Sequence, residues 1–390
     1  MKVFITAGEA SGDRLGAALM AGLRELVPDV EFIGIGGERM LEEGLESLFP
    51  MDEISIMGIG AILKEYRALK ARIRETAEAV VEAQPDVLVT VDLPEFSLRI
   101  AKEVKARSDV RVVHYVAPTV WAWRPGRAAK MAAHVDQVLA LFPFEPPYME
   151  AAGMRCDFVG HPVVTDPQAT EAEAEAFRTR HGLGKAPVCL VLPGSRRSEI
   201  SRLGPVHAEV VRRLHAARPE LRFVVPAARP VAGLVETLVA DWPGAPVLVD
   251  PRGLPAPEAR AEKRAAFAAA NVALATSGTV SLELAAAGTP MVVAYDMPWL
   301  SRQIIGRLLR TDTVVLVNLV AESRTVPEFV GKACRPGPIA EAVQHVLEAP
   351  EAQDAAMRLT MERLGLGGPP PGARAAQAVL DGIAGAGRDT

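Results

Sequence analysis

Cysteine is scarce in this chain of 390 residues: there are three, Cys156, Cys189 and Cys334. Their odd number and wide separation give neither a disulfide framework nor the close spacing of a metal-ligand set. The expectation is a reduced, cytoplasmic protein with no metal and no cofactor. A basic excess is missing too. The formal net charge of −5 lacks the positive footprint of a nucleic-acid binder, so no nucleic-acid partner is expected. No apolar run approaches the ~18 residues that a membrane span requires. The opening MKVFITAGEASGD carries only a short apolar run before Gly8 and Glu9, which reads as a first strand and not as a secretion signal. Neither G-x-G-x-x-G nor a Walker A sequence follows that strand, so dinucleotide and ATP sites have no motif support. No internal repeat of the solenoid kind is present. What remains is an ordinary globular composition, 49% apolar and 23% charged, on a length that allows two domains with separate cores.

The most informative stretch is 272–295, VALATSGTVSLELAAAGTPMVVAY. It reads as strand, polar turn, short helix, Gly-Thr-Pro turn and strand, because VSLELAAA favours a helix and Gly288 with Pro290 ends it. Ser277, Gly278 and Thr279 then stand at a helix start, at the carboxyl edge of a parallel strand. Free backbone N–H groups face outward there and suit an anion. Glu283 lies one turn in, placed for a ribose diol or simply for the helix dipole.

Three other turns have the same character. Residues 3–7 form a strand that runs into Gly8-Glu9-Ala10-Ser11-Gly12-Asp13, and a helix follows at 15–26. The strand DVLVTV ends at Asp92, which projects where open α/β sheets keep their ligands or else caps the next turn. Strand 188–192 leads into Pro193-Gly194-Ser195-Arg196-Arg197-Ser198-Glu199. There Arg196 either neutralises phosphate or pairs with Glu199. After strand 112–116, Trp121 and Trp123 stand beside Arg124 in a loop suited to a sugar, to a lipid headgroup or to plugging the domain's edge. His161, ahead of Pro162, reads as structural. Further on, 313–318 reads as a strand with Asn318, Glu322 and Arg324 in the loop after it, and the terminal helices start at 327–330.

Ile59, Ile62, Leu63, Tyr66, Leu69 and Ile73 recur at helical spacing, flanked by Lys64, Arg67, Lys70, Arg72 and Arg74. Such a helix lays its apolar stripe either on its own domain core or on an anionic membrane surface. The whole predicts an α/β protein of two doubly wound, Rossmann-like domains, residues 1–165 and 166–345, facing each other across a cleft. Residues 346–390 form terminal helices, packing back on the first domain or on a second copy in a homodimer.

Taken in order, GEASGD, Met57-Gly58-Ile59, HYVAPTVWAWRPGR, FPFE, GHPV, LPGSRRSE, SGTVSLE and the 318–330 segment resemble the lipid-A-disaccharide synthase family. The likeness runs from Val3 to about Val330. It implies a GT-B glycosyltransferase with UDP-2,3-diacylglucosamine as donor and 2,3-diacylglucosamine 1-phosphate (lipid X) as acceptor. A β-1,6 bond forms with inversion, and UDP leaves. In that chemistry Asp92 is assigned as the base, with Ser11 and Asp13 bordering the sugars. Ser195, Arg196, Ser277, Gly278 and Thr279 meet the departing diphosphate, and Glu283 holds ribose. Glu9, Arg124, Asn318 and Arg324 complete the acceptor side and the late loop. Lipid substrates favour a peripheral protein on the inner face of the inner membrane, touching it through Ile59, Ile62, Leu63, Tyr66, Lys70 and Arg74. A related GT-B enzyme acting on UDP-GlcNAc, a lipid II-forming transferase or an epimerase, shares the Ser/Gly turn and Glu but not GEASGD or the Trp-Ala-Trp loop. A non-catalytic, nucleotide-gated membrane-binding module is the remaining alternative.

Overall fold

The computed structural model describes residues 1–55, 62–122, 126–297 and 311–386, with only the backbone for 55, 62–66 and 386. The chain divides into two compact units. One joins Met1–Thr165 to Leu364–Thr390, and the other is Asp166–Arg363.

Among the described residues the first unit holds one seven-stranded sheet, ordered β3-β2-β1-β4-β5-β6-β7. The strands are β1 (Lys2–Ala7), β2 (Glu31–Ile35), β3 (Glu46–Ser47), β4 (Val87–Val91), β5 (Arg111–Tyr115), β6 (Gln137–Ala140) and β7 (Arg155–Phe158). All pairings are parallel. Every residue of β4, VLVTV, is buried, as a central strand covered on both faces must be. On one face Phe4, Leu88 and Val112 pack with Ile73 and Val80 of the helix Ile62–Ala83 and Ile100 of the helix Pro94–Lys105. On the other, Ile5, Val89 and Val113 pack with Leu19 and Leu23 of the helix Ala10–Leu26 and Val379 of the helix Pro371–Ala386. The last helix thus lies on the first helix of its own chain. They cross closely: a Cβ on Gly372 would stand 2.4 Å from the Ala18 carbonyl oxygen.

The second unit repeats the plan with six parallel strands, ordered β10-β9-β8-β11-β12-β13. These are β8 (Val188–Leu192), β9 (Arg222–Pro226), β10 (Val247–Val249), β11 (Val272–Thr276), β12 (Met291–Tyr295) and β13 (Glu328–Val330). Two expectations fail here. The 313–318 strand is instead a helix, Leu316–Ala321, and residues 328–330 form an edge strand, not the start of the terminal helices. Val317, Val320 and Ala321 are buried, and Thr360 Oγ1 of the helix Glu351–Arg363 approaches the Val317 carbonyl at 3.4 Å. A short, continuous apolar run carries no periodicity that separates strand from helix. The second unit also continues past residue 345, through the helices Pro336–Glu348 and Glu351–Arg363.

Candidate active site

Each sheet has a topological switch point, where strand order reverses and the following helices leave on opposite faces. A crevice opens there beyond the strand ends, and open α/β proteins bind ligands in it. In the first sheet it falls between β1 and β4, in the second between β8 and β11. The four turns singled out in the sequence follow these four strands, two in each unit.

In the first unit Ala7 is registered beside Val91, so the turns at 8–13 and 92–95 are neighbours. Asp92 and Leu93 both have left-handed backbone, φ 50° and 45°. Non-glycine residues hold that conformation at a cost of order 1–3 kcal/mol each, so their surroundings must impose it. The Asp92 N–H donates to the Tyr115 carbonyl at 2.9 Å, and Ser97 Oγ donates to the Asp92 carbonyl at 2.6 Å. Those bonds fix the main chain and leave the half-buried carboxylate with no hydrogen bond or ion pair among the described residues. Glu9 and Ser11 are exposed at the start of the Ala10–Leu26 helix.

Asp13 does not join them. Its carboxylate turns inward and accepts the N–H groups of Gly37 at 2.8 Å, Arg39 at 3.1 Å and Met40 at 3.1 Å. It caps the helix Glu38–Glu42 from a different helix, a tertiary role that a linear motif does not reveal. Arg124 lies outside the described residues, as do Trp123 and the 57–59 segment. Trp121 packs edge-on to Phe144, centroids 5.1 Å apart, and Phe144 stacks on Phe142 at 5.3 Å. This tryptophan therefore serves the aromatic packing beneath the loop. The FPFE motif supplies Glu145, whose Oε2 accepts the Leu141 and Phe142 N–H groups at 3.1 and 3.0 Å. Burial nonetheless pushes its carboxyl up to about 8. His161 is buried with Nδ1 accepting the Val163 N–H at 3.1 Å, and burial holds its imidazole down to about 4. That is a structural histidine, as the sequence suggested.

In the second unit Thr276 Oγ1 donates to the Leu192 carbonyl at 3.0 Å and ties the ends of β11 and β8 together. Ser277 is half-buried, and Gly278 and Thr279 are exposed ahead of the helix Val280–Ala286. Glu283 on that helix is held by Lys263 Nζ at 2.6 Å. Ser195 and Arg196 are exposed after β8, and the Arg196 guanidinium meets Glu199 at 3.0 Å. Asn318 departs from its expected place. It is fully buried in the Leu316–Ala321 helix, and its amide donates to the Val326 carbonyl at 2.9 Å and accepts the Val326 N–H at 3.0 Å. Arg324 is exposed and paired with Asp312. Neither has a side-chain bond to the turn at 277–279 among the described residues.

The family model described as lipid-A-disaccharide synthetase matches residues 3–369. The chain belongs to the lipid-A-disaccharide synthase family of glycosyltransferases. The lipid-A-disaccharide synthase of Ruegeria pomeroyi is 64% identical over 385 residues, covering 99% of this chain and 96% of its own. That of Rhodospirillum centenum is 44% identical over 387 residues, covering 98% and 94%. Among solved structures, the UDP-GlcNAc 2-epimerase of Neisseria meningitidis bound to UDP-GlcNAc aligns with TM-score 0.59 at 14% identity, over 99% of this chain and 100% of the other. Anabaena Alr3699/HepE in complex with UDP and glucose aligns with TM-score 0.59 at 12% identity, again over 99% and 100%. At that identity the likeness shows the fold, two parallel doubly wound sheets of the GT-B kind.

In this synthase-family chain two side-chain contacts left no signal in the sequence, and a third was visible only in part. Lys263 stands twenty positions before Glu283, one cation among several on its helix, and no local signal points to the pair. Glu145 looks like a surface acid in FPFE until its burial is seen. Glu199 was visible as a partner for Arg196 but not as an acceptor for backbone. The proposed membrane helix is described in part. Ile59 lies outside the described residues, and so do the side chains of Ile62, Leu63 and Tyr66. Lys70 and Arg74 are exposed, Leu69 and Ile73 face the core, and Arg72 is bound by Glu53 and Glu75. No helix among the described residues is long and apolar enough to cross a membrane.

Proposed function

We propose that the chain condenses UDP-2,3-diacylglucosamine with 2,3-diacylglucosamine 1-phosphate (lipid X) to a β-1,6-linked disaccharide 1-phosphate, releasing UDP. The observation that carries this reading is the Asp92 carboxylate. It is fixed by its main chain at the β1/β4 switch point and is unpaired among the described residues. In the proposed reaction Asp92 takes the proton from the acceptor's 6-hydroxyl as that oxygen attacks the donor's anomeric carbon. General-base assistance of this kind contributes about 10²–10⁴ in rate. The bond from the anomeric carbon to the diphosphate breaks on the opposite face, so the centre inverts. Negative charge collects on the leaving diphosphate. Arg196, the amides at Ser195 and the helix start at Ser277, Gly278 and Thr279 are suited to receive it. Glu283 accepts from the ribose hydroxyls, and Glu9 and Ser11 border the sugars. The exposed cations Arg67, Lys70 and Arg74 favour contact with an anionic membrane surface, from which two-chain lipids are drawn.

The test is a UDP-release assay with both acylated sugars, each omitted in turn. UDP release only when both are present, with a disaccharide product, supports the proposal. UDP release without acceptor, or conversion of UDP-GlcNAc alone to its epimer, contradicts it.

A further inference from the structure

The turn after β8 already holds an anion, and that anion is its own. Glu199 Oε2 accepts the Ser195 N–H at 2.9 Å and the Arg196 N–H at 3.2 Å, while Oε1 accepts from the Arg196 guanidinium at 3.0 Å. These two amides and the guanidinium are among the donors that the proposed function gives to the diphosphate. The Glu199 side chain is only 13% exposed and that of Arg196 is 78% exposed, so the carboxylate sits inside the turn and the cation outside it. The main chain is wrapped to suit it. Gly194 has φ 119°, and a Cβ there would lie 2.7 Å from Glu199 Oε2.

Part of this is an ordinary helix start, because a glutamate three residues inside a helix bonds the N–H at its cap. The same oxygen goes further here. It also takes the Ser195 N–H, one residue outside the cap, and the other oxygen holds the guanidinium. We infer that Glu199 is a positioning residue that stands in for the leaving diphosphate: it orders the Ser195–Arg196 donors while the site is empty and is displaced when phosphate arrives. This rests on the reading that the turn binds UDP.

The physical consequence is a trade between order and affinity. Donors held in place cost less entropy to bind. Yet each binding event must break three charge-assisted bonds, and each release re-forms them, so the carboxylate competes with UDP for one seat. Phosphate carries more charge than carboxylate and wins when present, but by a smaller margin than if the seat were vacant. The gain falls on product release, a step that often limits turnover.

Glu199→Gln keeps the size and one acceptor oxygen while removing the charge. Calorimetric titration with UDP and with uridine is to be run on both proteins. UDP should bind the variant about tenfold more tightly, uridine equally in both, and kcat and the donor KM should fall together as release slows. A variant that binds UDP no more tightly than the parent would overturn the inference and leave Glu199 a helix cap. A parent that binds UDP no better than uridine would instead overturn the functional reading beneath it. Should the variant fail to fold, a crystal structure of the parent with UDP decides. Glu199 released from the Ser195 N–H supports displacement, and all three bonds intact beside bound UDP refute it.

Discussion

Asp13 and Asp92 follow neighbouring strands and carry the same functional group, yet the fold uses them in opposite ways. Asp13 accepts three main-chain N–H groups and holds the Glu38–Glu42 helix, whereas the Asp92 side chain has no partner among the described residues. Asp13→Ala is therefore expected to cost stability, roughly 1–3 kcal/mol in chemical denaturation, by stripping a cap and leaving the buried Met40 N–H and two partly buried donors without their acceptor. Its effect on turnover should follow the folded fraction alone. Glu145 gives a prediction in pH. Its carboxyl is raised from the ordinary value to about 8, so the folded state favours the neutral form. That stability is complete below the unfolded value near 4.5 and is lost as pH rises through about 8. The buried imidazoles of His114 and His161 are lowered to about 4 and act with the opposite sign. Their contribution is present above the unfolded value of 6.5 and is lost as pH falls through about 4. Melting temperature against pH should fall on both sides, and Glu145→Gln should flatten the alkaline side alone. An unchanged alkaline slope in that variant would exclude Glu145 as its source.

Among the elements, what local pattern governs was legible and what tertiary contact governs was not. Apolar runs ending in Gly, Ser and Asp located the four turns at the switch points, because strand, turn and helix start each leave a composition signal within a dozen residues. The Leu316–Ala321 helix left none, since the run 314–317 is apolar throughout and its conformation is set by the Glu351–Arg363 helix packed against it. The inward turn of Asp13, the Lys263–Glu283 pair and the buried Asn318 amide depend on segments distant in sequence or on burial that only the fold decides. Docking of the last helix is of the same kind. Gly372 meets Ala18 across a separation that no periodicity reports. Gly372→Val should force the two helices apart and cost about 1–3 kcal/mol, with faster amide exchange confined mainly to 371–386 and the first helix. Protection unchanged in both helices would contradict the packing described.

At the scale of the whole molecule, the chain builds the same doubly wound sheet twice and places a polar pair of turns at the switch point of each. In the proposed reaction the first unit supplies the base and the second receives the departing nucleotide. Loss of the base should then slow release without weakening the binding of the nucleotide. The direct measurement is UDP release by Asp92→Asn with both acylated sugars, set beside calorimetric UDP binding to the same protein. Release at least about a hundredfold slower, with UDP affinity within about twofold of the parent, is predicted. Release at the parent's rate, or a loss of UDP affinity that matches the loss of rate, would contradict it.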